Sequence, residues 1–165
     1  MELAIKNKNW NYLGIEIREK LVLNASKRIK DQKIENLYFS FGNANNIFSD
    51  SDHKFLFNYI KSISFYFPDP WFKKRHHKRR IIQTDLIQTL SHILHKGTII
   101  YIKTDVKELF EYMETVILDN INFRKLKSLD LNLSNSFNPS SVKTNREKYV
   151  LLNKLDVYER IYENI

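Results

Sequence analysis

The chain has 165 residues, 42% hydrophobic and 13% aromatic, which suits one compact domain with a real core and excludes a disordered chain. It contains no cysteine, so disulfides and thiolate metal sites are excluded and a reducing compartment is expected. The formal net charge of +8 favours a polyanionic partner, nucleic acid first, while the absence of any long apolar run or leader pattern points to a soluble protein without membrane association.

Residues 1–7 read as the tail of a helix with Leu3 and Ala4 inward. Residues 11–17 alternate and carry β-branched side chains, which predicts a strand. Over 18–30, Leu21, Val22, Ala25 and Ile29 share a helical face, and 36–41 alternates Leu37, Phe39 and Phe41 as a second strand. A short helix is predicted at 51–61 and a third strand at 62–67, ended by Pro68. Thr84 has the chemistry of an N-cap for a helix burying Leu86, Leu90, Ile93 and Leu94, with Gly97 suited to the left-handed position beyond its end. A fourth strand, 98–103, precedes a helix opened by Asp105, with Val106, Leu109, Phe110, Met113 and Val116 inward. Residues 128–143 are Ser/Asn-rich and read as a long mobile loop, followed by a helix-like piece and a strand at 155–162. The alternation predicts a single doubly wound α/β domain, 1–165, with an antiparallel-looking tail.

Ligands of such sheets sit at the carboxyl ends of the strands. Glu16 occupies the end of a predicted strand, and Asn43, Asp69 and Asp105 follow predicted strands; the plain alternative makes them loop acids and caps. Residues 65–80, FYFPDPWFKKRHHKRR, place six Lys or Arg and two His within 73–80, directly after a strand-end Asp-Pro-Trp. A solvated face or a targeting patch is the plain reading of that run. Beside a ligand edge it becomes a phosphate-binding surface, with Trp71 as a stacking face for a base. Asp105 with Glu108, and Thr144 with Glu147, have capping-box spacing and could simply start helices. His76 and His77 lack the spacing and partners of a metal site, so no metal is expected.

Phe67-Pro68-Asp69-Pro70-Trp71, Lys73 and Arg75-His76-His77-Lys78-Arg79-Arg80 together resemble the signature of the tRNA (guanine-N7)-methyltransferases. Leu13-Gly14-Ile15-Glu16-Ile17-Arg18, Gly42-Asn43-Ala44, Thr104-Asp105 and Thr144-Asn145-Arg146-Glu147 resemble further motifs of that family, so the likeness covers nearly the whole chain. It implies S-adenosyl-L-methionine as cofactor, contacted by Glu16, Asn43 and Asp69, with Asp69 as the catalytic carboxylate. It implies tRNA as substrate, with its backbone bound by Lys73, a variable-loop guanosine contacted by Asp105, Thr144, Asn145, Arg146 and Glu147, and RNA held by Arg75, His76, His77, Lys78, Arg79 and Arg80. The implied fold is a Rossmann-like class I methyltransferase sheet. Its first strand and Gly-rich loop are missing here, because the chain begins inside what resembles the first helix and none of Gly14, Gly42 and Gly97 lies in such a loop. A domain incomplete at its amino terminus, with weak cofactor binding and marginal stability, is therefore expected. The alternative is a non-catalytic tRNA-binding remnant of that family. A bacterial cytoplasm or a plastid stroma is the expected compartment.

Overall fold

Alternating apolar residues near the amino terminus form two parallel strands, β1 (Tyr12–Glu16) and β2 (Leu37–Phe41), in register from Tyr12 opposite Leu37 to Glu16 opposite Phe41. The computed structural model describes residues 1–49, 54–127 and 138–165. It divides into two compact units, Met1–Asp50 and Ser51–Ile165.

In the first unit, helix α1 (Glu2–Lys6) buries Ala4, and helix α2 (Glu19–Asp31) makes the crossover between the strands. Val22 is buried, with Ala25 and Ile29 partly so, but Leu21, expected on that face, is exposed. The Asn36 amide reaches the carbonyls of Ala4, Asn7 and Trp10 at 3.0, 3.2 and 2.8 Å, fastening the amino-terminal segment to the start of β2. Gly14 has a steric reason: a Cβ there would lie 2.4 Å from the Phe39 ring, its register partner. After β2 comes helix α3 (Ala44–Ser49), which was not predicted; helix α4 (Lys54–Phe57), in the second unit, falls within the helix predicted at 51–61.

The second unit is built on a four-stranded sheet containing β3 (Ser62–Tyr66), β4 (Ile99–Thr104), β5 (Phe123–Leu126) and β6 (Tyr158–Asn164), in the order β3-β4-β6-β5. β3 and β4 run parallel, and β6 lies antiparallel to both β4 and β5, which is the antiparallel tail read from the sequence. β4 is central and buried along almost its whole length, as a strand covered on both faces should be. Helix α5 (Thr84–Ile93) contributes Leu86, Ile87 and Leu90 to the core, and helix α6 (Lys107–Leu118) contributes Leu109, Phe110, Met113 and Ile117. Burial, above all, pushes the hydroxyls of Tyr101 and Tyr162 far above the ordinary phenol range. Helix α7 (Asn145–Leu152) precedes β6.

Several local expectations change. Thr84 is the first residue of α5, not its cap; Gln83 holds that position, with its amide spent on the His77 and Arg80 carbonyls. Gly97 does take a left-handed φ of 84°, but in the turn into β4, because α5 already ends at Ile93. Ile117, not Val116, is the last buried residue of α6. β5 was not anticipated: its two middle residues are cations, paired with Glu163 (Arg124, 2.6 Å) and Glu114 (Lys125, 2.9 Å). The long loop predicted at 128–143 lies outside the described residues as far as 137, and a 3-10 turn forms at Pro139–Ser141. Among the described residues β1 pairs only with β2 and β3 only with β4; the first strand that the resemblance implies is not one of the six.

Candidate active site

Parallel pairing places the carboxyl ends of β3 and β4 at one edge, with Tyr66 opposite Lys103. Phe67 closes β3 with a left-handed φ of 47° and donates its N–H to the Lys103 carbonyl at 2.7 Å. The chain then turns through Pro68-Asp69-Pro70, and Trp71 takes the same left-handed φ. Asp69 is exposed at that turn and has no hydrogen-bond partner among the described residues. Its carboxylate is free to receive a ligand.

The basic run follows as a 3-10 helix, Lys74–Arg79. Lys73, Lys74, Arg75, Lys78 and Arg79 are exposed, while His76 and His77 are partly buried. Arg80 differs from the rest: it is 4% exposed. Its Nε donates to the Pro70 carbonyl at 2.9 Å, and its terminal nitrogen donates to Glu108 at 3.1 Å and lies 3.0 Å from His77 Nε2. Guanidinium only donates, so in that contact His77 Nε2 is the acceptor. The guanidinium also lies 4.7 Å from the Tyr112 ring centre. Arg80, expected to hold RNA, is thus a brace that clips the loop to α6. Its Nε and one terminal nitrogen are engaged and its side chain is only 3% exposed, which leaves little for a phosphate. Trp71, expected to stack on a base, has Arg79 over its ring at 5.1 Å and His76 against its edge at 5.8 Å. Its ring organises the run, and the face under Arg79 is occupied.

Asp105 lies at the end of β4, and Thr144, Asn145, Arg146 and Glu147 lie at the start of α7. Asp105 does not cap α6; that place is Val106, whose N–H goes to Thr104 Oγ1 at 3.2 Å. Asp105 Oδ2 instead accepts hydrogen bonds from Nε of Arg146, at 3.1 Å, and from one of its terminal nitrogens. Thr144 does cap α7, its hydroxyl accepting the Glu147 N–H at 3.0 Å. Asn145 and Arg146 are exposed, whereas Glu147 is buried and ion-paired to Lys103 at 2.8 Å. Lys103 was not singled out in the sequence. It also pairs with Glu159 at 2.9 Å. Burial pushes the Glu159 carboxyl up, but hydrogen bonds from Tyr101 and Lys103 outweigh it and hold the group below the usual carboxylate range.

In the first unit, Glu16 ends β1 and accepts the Arg18 backbone N–H at 2.9 Å and its guanidinium at 2.9 and 3.1 Å. Those side-chain bonds lower the Glu16 pKa despite partial burial. Asn43 follows β2 and accepts the Asn45 N–H through Oδ1 at 3.0 Å, which leaves its Nδ2 as a donor. Among the described residues no group of three or more His, Cys, Asp or Glu could hold a metal ion, and no helix is long and apolar enough to cross a membrane.

Comparison with known proteins assigns this architecture. Residues 1–160 match the family model described as "Putative methyltransferase". The chain is 58% identical over 164 residues to a tRNA (guanine-N(7)-)-methyltransferase of Prochlorococcus marinus subsp. pastoris, covering 99% of this chain and 78% of that protein. A second enzyme of that name, from Prochlorococcus marinus strain NATL2A, is 37% identical, with 98% and 75% covered. Among solved structures, an rRNA methylase from Streptococcus thermophilus superposes with a TM-score of 0.53 at 17% identity, covering 94% of this chain and 74% of the other. A methyltransferase homolog from Pyrococcus horikoshii gives 0.57 at 11% identity, with 93% and 53% covered. These structural likenesses give the fold class, a Rossmann-like methyltransferase sheet. The sequence likeness is far closer, and by it the chain belongs to the tRNA (guanine-N7)-methyltransferase family.

Proposed function

We propose that this protein transfers a methyl group from S-adenosyl-L-methionine to N7 of a guanosine in tRNA, the variable-loop guanosine by family resemblance. The observation that carries the proposal is the convergence, at one sheet edge, of an exposed Asp69 with no hydrogen-bond partner among the described residues, an exposed cationic loop and the Asp105–Arg146 pair, in a chain 58% identical to an enzyme of that name. A non-catalytic RNA-binding remnant is not favoured, because it gives no reason for the carboxylates at that edge.

The cofactor supplies an electrophilic methyl group on its sulfonium. The residues present suit its polar parts. Glu16 has three hydrogen bonds, all from Arg18, and a carboxylate has about four acceptor positions, so Oε2 can take a ribose hydroxyl. The 63% exposed Arg18 side chain can yield a second position. Asn43 Nδ2 offers a donor to a base. The close backbone approach that a Gly-rich loop gives is not offered by Gly14, whose open side is filled by Phe39.

Guanine N7 already carries a lone pair, so no strong general base is needed. The protein's task is to align the reacting atoms, exclude water and balance the positive charge that forms on the purine. Asp69 supplies that negative charge. Asp105, Thr144, Asn145, Arg146 and Glu147 hold the guanosine, while Lys73, Arg75, His76, His77, Lys78 and Arg79 hold the tRNA backbone. Arg80 and Trp71 keep that run in shape. The bacterial relatives support a bacterial cytoplasm as the compartment. The test is incubation of the purified chain with the cofactor and unmodified tRNA, followed by nucleoside analysis. 7-Methylguanosine is expected; a different methylated nucleoside, or none, would refute the proposal.

A further inference from the structure

We infer that Lys103 is a positioning residue for this transfer, its buried ammonium fixing the first turn of α7 against the carboxyl end of β4. The inference rests on the function proposed above and assigns the reaction a residue outside the motifs that define the site. Lys103 sits on the central strand with its side chain 3% exposed, where an ammonium is costly unless paired. Its partners are Glu147 on α7 and Glu159 on β6, with the Tyr101 ring 5.9 Å away.

Strand geometry explains why this residue controls the turn. Tyr101, Lys103 and Asp105 are spaced two apart, and Tyr66 is the register partner of Lys103, so all four side chains emerge on one side. Each of the four grips the segment 138–147. Tyr66 donates to the Pro139 carbonyl at 3.0 Å, Tyr101 meets the Ser140 hydroxyl at 3.1 Å, Lys103 pairs with Glu147 and Asp105 with Arg146. The last two are rungs of one ladder: plus and minus on the strand face minus and plus on consecutive residues of the helix. The two rungs differ in burial. Arg146 is half exposed, whereas Glu147 is buried at 8%, and its Oε2 has no hydrogen-bond partner among the described residues. Glu147 is therefore held from one oxygen, by Lys103. Without that ammonium, a buried unpaired carboxylate would move to water and carry the residues next to Asp105 with it.

Displacement of this kind should slow the chemical step and spare binding, because the exposed cations of 73–79 are untouched. The test compares Lys103→Met with Glu159→Gln, which leaves the Lys103–Glu147 pair intact, in the full 165-residue chain. Lys103→Met is expected to lower kcat by about 10–100-fold, the scale of an ångström-sized misplacement, with the tRNA dissociation constant and its salt dependence little changed. Amide exchange, read without cofactor, should speed up at Glu147 and Lys148 while β4 and β6 stay protected. Glu159→Gln should keep both kcat and that protection. Lys103→Gln, shorter and neutral but still a donor, is expected to lose kcat in the same way and serves if the methionine variant does not fold. Unchanged kcat in folded Lys103 variants would overturn the inference, as would protection lost equally throughout the sheet. A wild-type chain that methylates no tRNA would instead sink the proposed function, and exchange at α7 would still report on Lys103.

Discussion

The loop after β3 and the turn that opens α7 are each held by one buried cation, Arg80 and Lys103, but the two cations face different partners. Arg80 donates to a backbone carbonyl, an imidazole nitrogen and Glu108, whose side chain is 66% exposed. Removing it strands no charge, since Glu108 can turn to water. Lys103 holds Glu147, which is itself buried, so removing it leaves a charge that can reach water only by moving the turn of α7 with it. The cationic run 73–80 is thus clipped by contacts whose one charged partner, Glu108, faces water. The turn that opens α7 is tied by a buried ion pair.

The largest expected effect follows directly. Lys103→Met should destabilise the protein by about 3 kcal/mol, the lower end of the cost of breaking a buried ion pair from one side. Arg80→Met should cost about 1–2 kcal/mol, the scale of lost hydrogen bonds. Urea unfolding at neutral pH measures both, and equal losses would erase the distinction. A smaller effect concerns binding. Lys78→Ala should reduce the slope of log affinity for tRNA against log salt by about one, the signature of a lost phosphate contact. Arg80→Met should leave that slope unchanged if the loop keeps its shape; a reduced slope would return Arg80 to the RNA-binding surface.

The smallest effect is in acid. The Glu159 carboxyl is held below its ordinary value in the folded state, so its stabilising contribution is complete above the unfolded value of about 4.3. That contribution is lost as pH falls through the folded value. Glu159→Gln should flatten this part of the acid limb of stability. An acid limb identical to wild type would show that the Tyr101–Glu159–Lys103 network carries no linkage.

Much of this was legible in the sequence because it is local. Strands β1 to β4 and helices α2 and α6 follow from side-chain period, and the Asp-Pro-Trp turn with its basic run is visible as written. The capping role of Thr144 was readable too, from its spacing to Glu147. Arg80 was not. In a run of eight cationic or imidazole residues, 73–80, no periodicity tells which one turns inward. The one hint was its adjacency to Ile81 and Ile82, the second fully buried. Lys103 was hidden for a related reason. It reads as the end of an apolar strand, and only sheet order reveals that β4 is central and that its lysine must find carboxylates from α7 and β6. β5 was missed because its cations match no strand pattern; their partners Glu114 and Glu163 lie far away in the chain.

The most direct test of the account is a side-by-side measurement of methyl transfer and tRNA binding by the wild-type chain and Asp69→Ala. Transfer to N7 is expected from the wild type and its loss in the variant, with salt-dependent tRNA binding retained, if the carboxylate serves the reaction and the exposed cations serve the RNA. Near-normal turnover in Asp69→Ala would contradict it.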